Sequence, residues 1–433
     1  MAAIDWMRGL VMVLMAVDHA SLAYNGGRLG DDSWYAHEPG SALPAAQFFT
    51  RWITHLCAPT FVFLAGTALA LSFERRRLAG ARDRDLDVHL FKRALVILAF
   101  ELLWWSPFSL MVLFAIAMGL ICMIPLRRLS TRTLLITALS ILFLYEAVFW
   151  GIMHLGGITA DMIREVTNMP VPDGEFDQEA MNEAAAQVRN LGWMSIFNPF
   201  FHPGLLVKIG PIPLWVQYPF VPWLGMMILG WLLGRYLVQQ SFAPPPSPGV
   251  SGGLTGAAPI EAPAGAPARA SAGAPRSLMS VERLLVISGL LALGLFVLFR
   301  AWNGYGNMLL LREDFSLVQW LYVNKYPPSL TFALLELGLM ALILSGFFRY
   351  QRNLKSPIRN RNPLLVFGQT AFFFYLIHMH ILIFSGLALG MFMQQGLGTA
   401  YLAALGVLIL LYPVCLWFRR LKARRPKGWV RYI

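Results

Sequence analysis

Charge is scarce in this chain, and cysteine scarcer. Asp, Glu, Lys and Arg make up 13% of its 433 residues, about half the share usual in soluble domains. That excludes an ordinary water-soluble fold. The three cysteines, Cys57, Cys122 and Cys415, lie in or beside apolar runs. They form neither a disulfide framework nor the ligand spacing of a zinc site, so packing is their expected role and no metal is expected. No P-loop is present, which removes the commonest phosphate cradle. Acidic residues are outnumbered, 23 against 35 basic, for a net charge of +12. In a soluble protein such an excess would fit nucleic acid. Here the basic residues sit between apolar runs, where orientation signals belong, and no nucleic-acid partner is expected.

What the chain does have is long apolar runs: 57% of its residues are hydrophobic and its mean hydropathy is +0.57. A helix needs about 20 mostly apolar residues to cross a bilayer. Ten such spans can be read, at 4–24, 47–73, 90–106, 107–125, 133–153, 214–237, 281–301, 328–348, 364–388 and 398–418. The fold class expected is an all-α polytopic bundle. With ten spans, about 27 of the 35 Lys and Arg fall on one side of the membrane and about 8 on the other. The positive-inside rule makes the rich side cytoplasmic, with both termini there. The stretch Leu10–Val17 followed by Ser21-Leu22-Ala23 resembles a signal peptide. However, Asp5 balances Arg8, and Asp18-His19 interrupt the end of the apolar run, so a permanent helix is expected.

Two insertions divide the chain. Residues 241–280, centred on the Ala/Pro/Gly/Ser tract from Ala243 to Pro275, cannot bury a core and read as a disordered cytoplasmic linker. It separates a six-span part, 1–240, from a four-span part, 281–433, of one transmembrane domain. The outer loop 153–213 carries an acidic, helix-prone piece from Asp173 to Arg189. The aromatic stretch FNPFFHPGLLVKIGPIPLW then suits either a lid at the membrane surface or a simple connector.

The most informative segment is the first, IDWMRGLVMVLMAVDHASLAY. Ionisable groups within a span cost roughly 2.5–3.5 kcal/mol each on insertion scales, so they face protein or a wet cavity. Arg8 and His19, 11 positions apart, share one helical stripe about 16 Å long, with Asp5, Met12 and Met15 close to the same line. In the second span Arg51 and His55 share a face, and Pro59 follows one turn on. Antiparallel crossing brings Asp18, His19, Arg51 and His55 to similar depth, and the loop between them supplies His37. Imidazoles beside a carboxylate, reachable from outside, suit general acid–base chemistry. The bland readings are an interfacial His19, a snorkelling Arg51, a structural His55 and a solvated His37.

Further along, Glu101, Glu146 and Glu336 are buried within spans and need partners or a cavity. In the ninth span His378 and His380 diverge by about 200°, so one at most faces a site; His378, near Tyr375, is the better placed. Lys325 stands at the outer entrance of the eighth span, before Pro327-Pro328. The loop arginines are first of all topology signals, and contact with a phosphorylated donor is a secondary reading.

Five ordered motifs carry a resemblance: IDWMRGLVMVLMAVDH, FFTRWITHLCAPTFVFLAGTALAL, YPFVPWLGMMILGWLLGR, KYPPSL and FFFYLIH. Together they resemble the bacterial branch of the heparan-α-glucosaminide N-acetyltransferase catalytic-domain family, over nearly all of the chain outside the linker and parts of the outer loop. The pattern from Arg8 to His19 also looks like the first-helix motif of the wider integral-membrane sugar acyltransferases. The resemblance implies transfer of an acetyl group from cytoplasmic acetyl-CoA to an amine or hydroxyl of an extracytoplasmic glycan, in a bacterial inner membrane. Arg8, Asp5, Lys325, His378 and Tyr375 would then serve the donor, while His19, Asp18, His55, Arg51 and His37 would serve catalysis. In the lysosomal enzyme an asparagine stands where this chain has His19, and the catalytic histidine follows a Trp-Tyr pair, loosely echoed by Ser33-Trp34-Tyr35-Ala36-His37. His19 is therefore the favoured base and His37 the alternative, with His19 oriented by Asp18 or His55. A polytopic transporter or flippase without acyl transfer is the rival reading, disfavoured by the lack of an internal repeat. Monomer and homodimer both remain open.

Overall fold

The computed structural model describes residues 1–30, 32–105, 108–157, 159–160, 194–209, 212–242, 279–355 and 360–424. The 241–280 linker and the acidic piece of the outer loop fall mostly outside these residues, as does the basic tail beyond residue 424. The helices are α1 (Ala2–Tyr24), α2 (Ala45–Thr54), α3 (Cys57–Leu78) and α4 (Asp83–Phe100), the last followed by a π-helical turn, Glu101–Trp105. After strand β1 (Ser109–Leu110) come α5 (Val112–Leu126), α6 (Thr131–Leu155) and α7 (Met194–Phe201). Strands β2 (Gly204–Ile209) and β3 (Ile212–Val216) lead into α8 (Phe220–Phe242). The remainder comprises α9 (Val281–Trp302), α10 (Leu317–Leu321), α11 (Leu330–Asn353), α12 (Pro363–Gln369), α13 (Ala371–Ala388) and α14 (Leu397–Arg424).

Among the described residues, eight helices are long and apolar enough to cross a membrane, counting α2 and α3 as one. Two of the ten expected spans fall short. The first half of α4 is charged, with Asp83, Asp85 and Asp87, and α5 has only 15 residues, roughly 22 Å against a core of about 30 Å. The bundle is all-α in class, as expected, with one local exception. A small sheet in the order β1-β3-β2 occupies part of the 107–125 and 214–237 runs, with β1 parallel and β2 antiparallel to β3. Apolar faces left exposed along α6, α9 and α14, such as Ile136 and Val148, Leu291 and Leu298, and Leu402 and Ile409, form the belt expected of an integral multi-pass membrane protein.

Helix starts follow local chemistry. Ser130, Ser280 and Ser329 cap α6, α9 and α11 by accepting from backbone N–H groups of the first turn, and Asn362 caps α12 ahead of Pro363. α3 packs extensively against α8. A Cβ on Gly230 would collide with the Phe63 carbonyl, so glycine there lets the two backbones touch. The second span breaks at His55-Leu56, one turn before Pro59, whose missing N–H leaves the ladder open at that point.

The bundle has two unlike ends. At the basic end the last turn of α3 carries Arg75, Arg76 and Arg77; Arg127 and Arg128 share Asp87 there, and Arg235 donates to the Arg127 carbonyl. At the opposite, loop-rich end, the 25–44 segment folds back onto the 317–329 segment. Lys325 donates its backbone N–H to Asp32 (2.7 Å), Trp34 donates to the Asn324 side chain (2.5 Å), and His37 meets Glu313 (2.7 Å).

Candidate functional site

The last turns of α1 open onto a cavity of about 400 Å³ at the loop-rich end, large enough for a small-molecule ligand. Met15, Asp18, His19 and Leu22 form one wall; Arg51, Thr54, Cys57 and Phe61 of α2 and α3 form another. The sheet places Gln217 and Tyr218 at its edge by hydrogen bonds from both backbone N–H groups to the Leu110 carbonyl. Arg28, Lys325, Tyr326 and Tyr375 complete the chamber.

Two histidines define its chemistry. His378, fully buried in α13, sets its Nδ1 2.9 Å from the Phe374 carbonyl and its Nε2 2.7 Å from Nδ1 of His19. A carbonyl only accepts, so in the neutral ring His378 carries its proton on Nδ1 and presents a lone pair at Nε2. His19 must then donate from Nδ1. The geometry thus assigns the second lone pair to Nε2 of His19, 4.0 Å from the Asp18 carboxylate. His19, His378 and the Phe374 carbonyl form one hydrogen-bonded chain, with the Asp18 carboxylate beside it.

Asp18 is itself tightly held. Its Oδ1 accepts from Arg51 (2.7 Å), Arg28 (3.0 Å) and the Thr54 hydroxyl (3.0 Å). Arg51 turns its Nε to Asp32 (2.9 Å), which also receives His55 Nε2 (2.7 Å). Burial opposes ionisation of Asp32, but the His55 ring and the Arg51 guanidinium outweigh it and hold this carboxyl below the usual carboxylate range. Beside this network the hydroxyls of Tyr218 and Tyr326 lie 3.2 Å apart. One donates to the other, so a second O–H stays available to a ligand.

The structure brings together Asp18, His19, Arg51, Lys325, Tyr375 and His378, with His55 directly behind Arg51 and Asp32. It sets apart His37, which packs edge-on against Tyr322 and pairs with Glu313 away from the cavity. It also sets apart Asp5 and Arg8, which pair with each other (3.2 Å) three turns down α1, where Arg8 also reaches the Leu64 carbonyl. His380 bonds the Leu376 carbonyl and contacts that of Trp104. His378 is hydrogen-bonded to His19, Asp18 stands 4.0 Å from the same ring, and His55 is engaged by Asp32. Sequence reasoning missed Asp32, Arg28, Thr54 and the Tyr218–Tyr326 pair. Nothing in a polar loop marks which of its charges will fold inward.

The carboxylates within spans differ in their fates. Glu146 accepts from Gly306 (2.6 Å) and Glu101 from Met111. Glu336 is buried with its Oε1 lacking a hydrogen bond among the described residues. Among the described residues no group of three or more His, Cys, Asp or Glu is placed to hold a metal ion. No protein-family model matches the chain, and no curated protein matches it.

Proposed function

We propose that the protein is an integral-membrane acyltransferase of a bacterial inner membrane, with the cytoplasmic basic end and cytoplasmic termini read from its loops. It moves an acetyl group from cytoplasmic acetyl-CoA to an amine or hydroxyl of an extracytoplasmic glycan. The observation that carries this reading is the His378–His19 hydrogen bond, with His19 in the wall of a chamber of substrate size.

Nε2 of His19 takes the acceptor proton as the acceptor attacks the thioester carbonyl. The imidazolium that results is stabilised by Asp18, which Arg51, Arg28 and Thr54 keep in place. The oxyanion that forms at the carbonyl meets the spare O–H of the Tyr218–Tyr326 pair. As the C–S bond breaks, His19 returns its proton to the departing sulfur, so the ring ends neutral and the books of atoms and charge close. Arg51, shared by two carboxylates, acts here by positioning Asp18 and not as the oxyanion's direct partner.

The test uses purified protein in liposomes supplied with acetyl-CoA and an envelope-glycan extract. Acceptor-dependent release of CoA supports the reading; substrate counterflow without CoA release supports transport and overturns it. Mass spectrometry of the glycan then identifies the acceptor by its added acyl group.

A further inference from the structure

The chamber's charges do not balance. Three cations line it, Arg28, Arg51 and Lys325, against one lining carboxylate, Asp18; Asp32 lies behind, bonded to Arg51. Both carboxylates are occupied, Asp18 by the two arginines and Asp32 by Arg51 and His55. Lys325 is left over. It is 3% exposed, and its Nζ lies 5.2 Å from the centre of the Tyr326 ring. Among the described residues it forms no ion pair, although Asp18, Asp32 and Glu336 are within electrostatic reach. A buried ammonium without a partner is costly, and this one borders the cavity that would admit a ligand. The arginines at the basic end show the contrast. There Arg127 and Arg128 each form an ion pair with Asp87, and Arg235 donates to two backbone carbonyls.

We infer that Lys325 forms an anion subsite of the chamber, and that the acceptor is a sugar carrying a carboxylate or a phosphate. The subsite stands on the geometry alone; calling its ligand the acceptor rests on the acyl-transfer reading. Lys325 is held for this task by its backbone. Its N–H is tied to Asp32 (2.7 Å), and the neighbouring Asn324 side chain bridges the Trp34 N–H (2.5 Å) and the Pro327 carbonyl (2.7 Å). The ammonium therefore borders the chamber that His19 also lines, where a bound sugar acid would meet both.

The experiment is a binding titration of the full-length protein in nanodiscs, without acetyl-CoA, using glucuronate, glucose 6-phosphate and neutral glucose as probes. The wild-type protein is expected to bind the anionic sugars at least about tenfold tighter than glucose, the scale of one charge-assisted hydrogen bond. Lys325→Met should lose that preference and Lys325→Arg should keep it, which separates lost charge from lost fold. Equal binding of charged and neutral sugars by wild type, or a preference that survives Lys325→Met, overturns the inference. A repeat with saturating CoA locates the subsite: glucuronate binding that persists supports it, and competitive displacement by CoA gives the site to the donor and overturns it. Since no turnover is involved, anion preference without acceptor-dependent CoA release would sink the acyl-transfer reading and leave the subsite standing.

Discussion

Arg300 and Arg51 are both buried in this bundle, and they are buried for different ends. Arg300, fully enclosed at the end of α9, directs its five N–H bonds to the carbonyls of Leu310, Gln319, Trp320 and Tyr322 and to the Asn307 side chain, at 2.6–3.2 Å. Among the described residues no carboxylate pairs with it. Its work is to fasten the 303–322 loop to the helix that precedes it. Arg51 is nearly as enclosed, at 6% exposure, but it spans two carboxylates and borders the chamber. Buried charge in a membrane helix is commonly taken as a mark of function. The pair shows that burial alone does not make that mark: a charge matched by backbone dipoles is a staple, and one matched by ionised side chains around a void belongs to a site.

The comparison can be broken at several points. The largest effect is expected from Asp32→Ala, which strands Arg51 and His55 without their shared counter-charge. A loss of about 3–5 kcal/mol is expected, read as a fall in the thermal midpoint of protein in nanodiscs, together with loss of acceptor-dependent CoA release. Arg300→Met comes next. It leaves several buried acceptors unpaired, at about 1–3 kcal/mol each before relaxation, and should lower the midpoint while the folded fraction keeps its CoA-release rate within about threefold. A specific loss of activity at unchanged stability would erase the distinction between the two arginines. The smallest effect belongs to the outer rim. The His37 hydrogen bond holds Glu313 below its usual range, so the stability it gives is present above the unfolded carboxylate value and is lost as pH falls through the folded one. Glu313→Gln should therefore lower stability at pH 7 by less than about 1 kcal/mol, given its exposure. The difference from wild type should close below about pH 4, when midpoints are compared across pH.

How much of this could be read from the chain varies with the physics involved. The eight long helices were legible because a spanning segment must be apolar along its whole length. The nearness of Asp18 to Arg51 was legible because depth on antiparallel helices can be counted. The divergence of His378 from His380 follows from 100° per residue. Run length failed at 90–125, where an apolar stretch broke into a π-helical turn, a strand and a short helix. The lid-or-connector reading of the outer loop did not foresee the paired strands Gly204–Ile209 and Ile212–Val216, which lead to Tyr218 in the chamber wall. The inward turn of Asp32 was out of reach, since it is fixed by contacts with Arg51, His55 and Lys325, all distant in sequence. For the same reason His55 could be placed near the site but its partner could not be named.

The most direct measurement is the single-turnover rate of acceptor-dependent CoA release for His19→Ala, in nanodiscs, with the thermal midpoint checked against wild type. If His19 is the base that the His378 contact prepares, the rate falls by about 10²–10⁴ in protein that still melts as a folded chain. A folded His19→Ala protein that releases CoA at the wild-type rate would contradict it.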